Sequence, residues 1–435
     1  MTDKPRAGAG RTHPGSRGGK ISAASSRRRQ SGTRVELERR AGAKPQAAVV
    51  QPLTPRALLA LYRFDISEAL RALDAPAYRY AQVCEHLLLR PHQPFSQAMV
   101  LPTGFRDALD RLGTSTLTLL GSRTAPDGTT KLLLSARDGL CLETVLMRYR
   151  DRLTVCLSSQ VGCPVGCAFC ATGAMGFQRN LTVAEIVDQV RAASVLAGND
   201  GRRVSNLVYM GMGEPLLNLQ AILDSIRVVT DPSGLNLAHR AVSVSTVGIP
   251  SGIRRLARTE PQVHLALSLH AADDRTRALL VPKGFRHPLS EILDAAWDHF
   301  AITHRKLLVE YVLLRGVNDS VDDARRLAGL LHGHVVTVNL LAWNTVSRSP
   351  RTAPRRGAKD ADTTYRATAG RGESLPDVFE ASPPAAIVAF RDALLKARVE
   401  AVIRRSKGSG IQAACGQLAG RSRSYELRGD ETIPG

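Results

Sequence analysis

The sequence predicts an α/β protein built on a parallel sheet, either a barrel or an open sheet. Two observations carry this. Between residue 151 and the tryptophan at 343, six apolar runs of strand length alternate with runs of helical periodicity, the pattern of strand–helix–strand crossovers. The polar residues of those strands collect at their C-terminal ends, in GMGEP, STVG, SLH and WN. Parallel α/β architectures place their sites at that edge.

In chain order, residues 1–48 are rich in Gly, Ser, Arg and Pro and lack apolar periodicity, so they are expected to be a disordered basic tail. From LTPRALLALYRF to GFRDALDRLG the apolar residues recur at helical spacing, predicting three or four short helices. The stretch from 115 to 149 reads as strands about a PDGT turn. Together these predict a small α+β accessory domain over 49–150. The six strand runs are LTVCLSS, NLVYMGMG, AVSVSTVG, VHLALSLH, KLLVEYVLL and VVTVNLLAW. Helical runs between them include LTVAEIVDQVRAASVLAG, NLQAILDSIRVV, LSEILDAAWDHF and SVDDARRLAGLLHG. These predict a main domain over 151–421. An Arg- and Pro-rich insertion at about 346–378 interrupts it and is expected to be flexible. A helix and strand then lead to SKGSGIQAACGQLAG, a Gly-punctuated loop holding Cys415, and 422–435 form a polar tail.

The bulk numbers narrow the class. Apolar residues make up 43% of the 435, but aromatics only 4%, so the core must rest on Leu, Val, Ala and Ile. No apolar run approaches the roughly 20 residues of a membrane span, and the N-terminus lacks the apolar core of a secretory signal. A cytoplasmic protein is expected. The formal charge of +20 fits either an Arg-rich soluble surface or a polyanion partner such as nucleic acid. Seven cysteines in a chain this long do not make a secreted disulfide scaffold.

Four of those cysteines fall between Cys156 and Cys170. Zinc prefers two separated Cys pairs closing four ligands. Here Cys163, Cys167 and Cys170 instead form a tight Cys-x3-Cys-x2-Cys group. Three thiolates leave an iron–sulfur cubane with one open iron, able to chelate a small molecule. Cys84, in a helical run, and Cys141, in a strand, are expected in the core.

The spacing at the start of an α/β domain, with Phe169 before the third cysteine, resembles radical-SAM enzymes. The ordered stretches CLSSQVGCPVGCAFCATGAMGFQRNLTVAEIVDQV, YMGMGEPLLN, VSVSTVGIP, LALSLHAADDRTRALLVP, VEYVLLRGVNDS, NLLAWN and AACGQLAG resemble the RlmN/Cfr family of radical-SAM RNA methyltransferases. The resemblance runs from about 52 to 421 and implies a partial (β/α)6 barrel with an RNA-gripping accessory domain. It implies a 4Fe-4S cluster on Cys163, Cys167 and Cys170. It implies S-adenosylmethionine held by Gly213, Glu214, Ser245, Ser268, Leu269, His270 and Asn344.

It further implies two catalytic cysteines, Cys415 and Cys156, with Glu143 as a proton acceptor. In the mechanism so implied, one S-adenosylmethionine methylates Cys415 and a second yields the radical that activates this methyl group. The resulting carbon adds to an adenine ring. Cys156 then forms a disulfide with Cys415 and frees the RNA. The implied substrates are an adenine of 23S rRNA and, in the RlmN branch, an adenine beside the tRNA anticodon. That branch methylates carbon 2, whereas the Cfr branch methylates carbon 8. A flavodoxin or ferredoxin is the expected electron donor and a monomer the expected state. Two features depart from the family pattern: the insertion after Asn344, and VPKGFRHPL in place of the commoner MP-x-N form. Outside the family, a zinc-stabilised RNA-binding module is the competing reading.

Overall fold

The computed structural model describes residues 52–91, 93–198, 201–281, 287–346 and 379–420. The expected tail 1–48, nearly all of the insertion at 346–378, the centre of VPKGFRHPL and the tail 422–435 lie outside those residues.

Four helices open the described chain: α1 (Pro55–Tyr62), α2 (Phe64–Ala72), α3 (Ala77–Leu89) and α4 (Thr103–Asp110). Three antiparallel strands follow, β1 (Leu117–Thr124), β2 (Thr130–Ala136) and β3 (Cys141–Arg148). The core sheet then runs in parallel through β4 (Leu153–Cys156), β7 (Asn206–Tyr209), β8 (Val242–Thr246), β9 (His264–Ser268), β10 (Leu307–Leu313), β11 (Val336–Ala342) and β12 (Glu400–Arg404). A short hairpin, β5 (Gln160–Gly162) with β6 (Phe177–Asn180), stands apart from it.

Each of the six expected strand runs forms a strand, and all of them align in parallel. Their central residues are buried, Val242 and Val244 of β8 and Leu265 to Leu267 of β9 being fully enclosed, because helices cover the sheet. The covering helices include α6 (Val183–Gly198), α7 (Leu219–Thr230), α8 (Pro250–Thr259), α10 (Leu289–Thr303), α11 (Val321–Leu331) and α12 (Pro384–Lys396). In α7, Leu219, Ile222, Leu223, Ile226 and Val229 are buried at three- and four-residue spacing, one apolar stripe on the sheet. A capping box between Ser320 and Asp323 starts α11; it satisfies end N–H groups that would otherwise lack partners.

The sheet crosses the expected boundary at 150 without a break: β3 pairs with β4, Val145 opposite Cys156 and Arg148 opposite Leu153. The described residues between 52 and 420 belong to one compact unit. The N-terminal helices are fastened to it through buried Asp188 of α6. That carboxylate accepts from the Tyr62 hydroxyl and, at 2.7 Å, the Thr116 hydroxyl, and pairs with Arg191 at 2.6 Å. Cys84 lies in the core as expected, whereas Cys141 is only half-buried at the start of β3. Among the described residues no helix is long and apolar enough to cross a membrane.

Candidate active site

The C-terminal ends of the parallel strands open onto a cavity of about 170 Å3. The β5–β6 hairpin brackets the loop that carries the three clustered cysteines. Gly162 closes it with a φ of +74°, and a Cβ there would lie 1.8 Å from the Gly176 carbonyl oxygen, so no side chain fits. The loop continues into α5 (Ala171–Met175) and is tied down from two sides. The Trp343 indole N–H donates to the Phe169 carbonyl at 3.0 Å, and Ala168 N–H to Leu280 O at 2.9 Å.

Cys163, Cys167 and Cys170 all line the cavity. Burial pushes the Cys163 thiol up to about 12. Cys167 is raised first by burial and then by its two thiol neighbours. These shifts describe the bare chain; a bound cation reverses them by stabilising thiolate. Among the described residues no three His, Cys, Asp or Glu side chains gather tightly enough to hold a single ion. A tetrahedral zinc needs its donors converged on one point. An iron–sulfur cluster takes its thiolates at separate irons, so three thiols lining one cavity fit a 4Fe-4S cluster.

Opposite them stands Glu214, at the turn after β7. Gly213 makes that turn with a φ of +102°, where a Cβ would lie 2.6 Å from Ser159 Oγ. Glu214 is 3% exposed. It accepts hydrogen bonds from Leu216 N–H at 3.0 Å and Val247 N–H at 2.9 Å. Burial raises its carboxyl to about 7 against the pull of those donors. Further round the rim, the Ser245 and Ser268 hydroxyls lie 3.0 Å apart.

His270 adopts a left-handed φ of +59°, and its Nδ1 accepts from Val312 N–H at 3.1 Å. That bond leaves the ring proton on Nε2. Burial, with Arg277 nearby, lowers His270 to about 3, so it stays neutral. Asn344 lines the cavity and donates to the Cys415 carbonyl at 3.4 Å.

Cys415 also lines the cavity, brought there by the loop after β12. The residue is exposed, yet protein atoms surround the thiol within the concave wall. Burial, then Glu310, push it up to about 11. Cys156 ends β4 at 9% exposure, and its thiol is raised by burial first and by Cys415 second, which marks the two sulfurs as electrostatic neighbours. Three of the expected site residues are off the cavity wall. Leu269 is fully buried, Cys156 lies behind the wall, and Glu143 is enclosed in an ion pair with Lys131 at 2.9 Å.

Of the two carboxylates on the cavity wall, one lacks a role in the expected set. Glu310 of β10 lines the wall, takes a 2.7 Å hydrogen bond from Asn339 Nδ2, and is raised by burial. Its signal in the sequence is a lone carboxylate inside the apolar run KLLVEYVLL; such a group is expensive to bury without a task.

Fold and site together define a radical-SAM protein, and the sequence profile of the Radical SAM superfamily matches residues 157–328. A probable dual-specificity RNA methyltransferase RlmN of Thermus thermophilus is 42% identical over 348 residues, covering 80% of this chain and 90% of the relative. The dual-specificity RNA methyltransferase RlmN of Syntrophobacter fumaroxidans is 39% identical, covering 81% of this chain and 95% of the relative. The crystal structure of a radical SAM methyltransferase from Sphaerobacter thermophilus superposes with a TM-score of 0.74 at 38% identity, over 85% of this chain and 98% of that one. The chain belongs to the RlmN family of radical-SAM methyltransferases.

Proposed function

We propose that this protein methylates carbon 2 of an adenine in 23S rRNA, and an adenine beside the tRNA anticodon, carrying the methyl group on Cys415. The observation that carries the reading is one cavity lined at once by the three-cysteine loop, by Glu214 and by Cys415. The dual specificity in the relatives' names supports two RNA classes.

Cys163, Cys167 and Cys170 hold the 4Fe-4S cluster, reduced by a flavodoxin- or ferredoxin-type donor. Bound there with S-adenosylmethionine, it supplies one-electron chemistry, which an electrophilic ring carbon accepts where an ordinary methyl cation donor fails. The chain does the rest. Glu214 pairs with the ammonium of S-adenosylmethionine, and Ser245, Ser268, neutral His270 and Asn344 supply hydrogen bonds around it. Cys415 takes the methyl group as a thioether and presents it to the base. Cys156 then attacks the Cys415 sulfur, so that an S–S bond forms as the C–S bond to the product breaks. External reductant restores both thiols.

The Glu214 carboxyl near 7 gives a pH signature. Only the ionised form pairs with an ammonium, and that form appears as pH rises through about 7. S-adenosylmethionine affinity of the cluster-loaded protein is therefore expected to strengthen several-fold from pH 6 to pH 7.5. Glu214→Gln flattens the profile in equilibrium binding measurements; an unchanged slope in that variant assigns the titration elsewhere.

Mass spectrometry of methyladenosines from rRNA and tRNA, in cells with and without the gene, tests the function. 2-Methyladenosine disappearing from both pools with the gene is the expected result. Loss of 8-methyladenosine instead overturns the position, and no change in either pool overturns RNA methylation.

A further inference from the structure

We propose that the buried Lys131–Glu143 pair is a two-pronged clamp on the Cys415 loop, which makes both of them positioning residues for methyl transfer. The inference rests on Cys415 as the methyl carrier. Lys131 stands on β2 and Glu143 on β3. Leu133 is opposite Glu143 and Lys131 opposite Val145, so the two charges are diagonal neighbours on one face. Nζ and Oε1 are 2.9 Å apart, and each side chain is only 3% exposed. Joining two adjacent strands does not require this. An apolar pair of similar volume does so without the desolvation cost of two buried charges.

Two further contacts of the pair supply the reason. Lys131 Nζ donates to the Gln412 carbonyl at 3.2 Å, and Glu143 Oε2 accepts from Ala419 N–H at 2.7 Å. Gln412 and Ala419 bracket Cys415, one on either side. Each charge therefore ends on a loop group of matching polarity, ammonium on carbonyl and carboxylate on amide. Between the prongs the loop is fixed to the helix that follows the cluster loop: Ala171 N–H donates to Gly416 O at 2.7 Å, and the Thr172 hydroxyl to Leu418 O at 2.6 Å. At Gln412 the backbone takes a left-handed φ of +55°, a conformation unfavourable for a non-glycine residue unless its surroundings hold it. Glu143 does not line the cavity, so it acts on the reaction through the loop.

The test uses the full chain with its cluster reconstituted and no RNA. The exchange Lys131→Glu with Glu143→Lys keeps an ion pair between β2 and β3 but sets a carboxylate against the Gln412 carbonyl and an ammonium against Ala419 N–H. A second variant, Lys131→Met with Glu143→Leu, removes both prongs and leaves no lone buried charge should the exchange fail to fold. In either, amide exchange at Ala419 and iodoacetamide alkylation of Cys415 are expected to rise about ten-fold or more, the size of a lost hydrogen bond to a charged group. Exchange in the β2–β3 amides stays at the wild-type level. Ala419 exchange and Cys415 alkylation within about two-fold of wild type, in whichever variant folds, overturn the clamp. So does a Glu143→Gln protein whose loop exchange is unchanged while RNA methylation is lost, since that identifies a proton acceptor. Neither loop measurement involves methylation; a wild-type protein that shows the clamp and methylates no RNA removes the functional reading alone.

Discussion

With Cys415 replaced by alanine, the protein still binds S-adenosylmethionine but transfers no methyl group to RNA. The loss is expected to be a thousand-fold or more, as when a covalent nucleophile is deleted. The loop should keep its course in this variant, because its anchors are backbone groups. Gly416 and Leu418 accept through their carbonyls, and so does Cys415 itself, from Asn344. Equilibrium binding of S-adenosylmethionine therefore stays within about two-fold, since the substitution removes one sulfur from the wall and no charged contact. Cys415→Ser behaves alike, because a hydroxyl of ordinary pKa is a far weaker nucleophile than a thiolate. Undiminished methylation of rRNA by either variant sinks the carrier role.

Cys156→Ala is expected to separate bond formation from product release. In the proposed reaction the methyl carbon reaches the base while still attached to the Cys415 sulfur, and in this variant no second sulfur is available to displace it. The variant should accumulate protein covalently joined to RNA, stable in hot detergent and shortened by nuclease. Release of methylated RNA should fall a hundred-fold or more. The pairing depends on the two sulfurs lying at one place, and the raising of the Cys156 thiol by Cys415, second to burial, reports that. Free methylated product with no adduct would mean that another group resolves the intermediate.

How much of this was legible in the sequence depends on the length over which a pattern repeats. The six core strands were readable because strands packed beneath helices carry mainly apolar runs of strand length, separated by runs of helical period. Their polar ends marked the cavity because Ser, His, Glu and Asn recur at the same edge of successive strands, although a capping role explains any one of them alone, as Glu214 caps the turn at Leu216. The β5–β6 hairpin was not readable. Its strands are three and four residues long, too short for any periodicity, and only Gly162 and Gly176 hint at the backbone crossing there. The division expected at 150 follows from a change of pattern, from strands about a turn to alternating strands and helices, but strand pairing crosses it, and β3 hydrogen-bonds to β4. Glu143 shows the deeper limit: a motif matches a residue type to a position and does not show which partners enclose it. Here those partners are Lys131, twelve residues upstream, and Ala419, 276 residues downstream. Neither is linked to it by any pattern in the chain.

The pinning of the Cys415 loop also has a consequence for biosynthesis. Thr172 and Leu418, which join across the cavity rim, are 246 residues apart along the chain. At ribosomal rates of about 5–20 residues per second, the three-cysteine loop leaves the ribosome roughly 12–50 s ahead of the loop that completes the cavity. During that interval the nascent protein presents three thiols without Cys415. On the function proposed above, metallation can begin on a chain that cannot yet turn over, and docking of the last segment is the step that makes it competent.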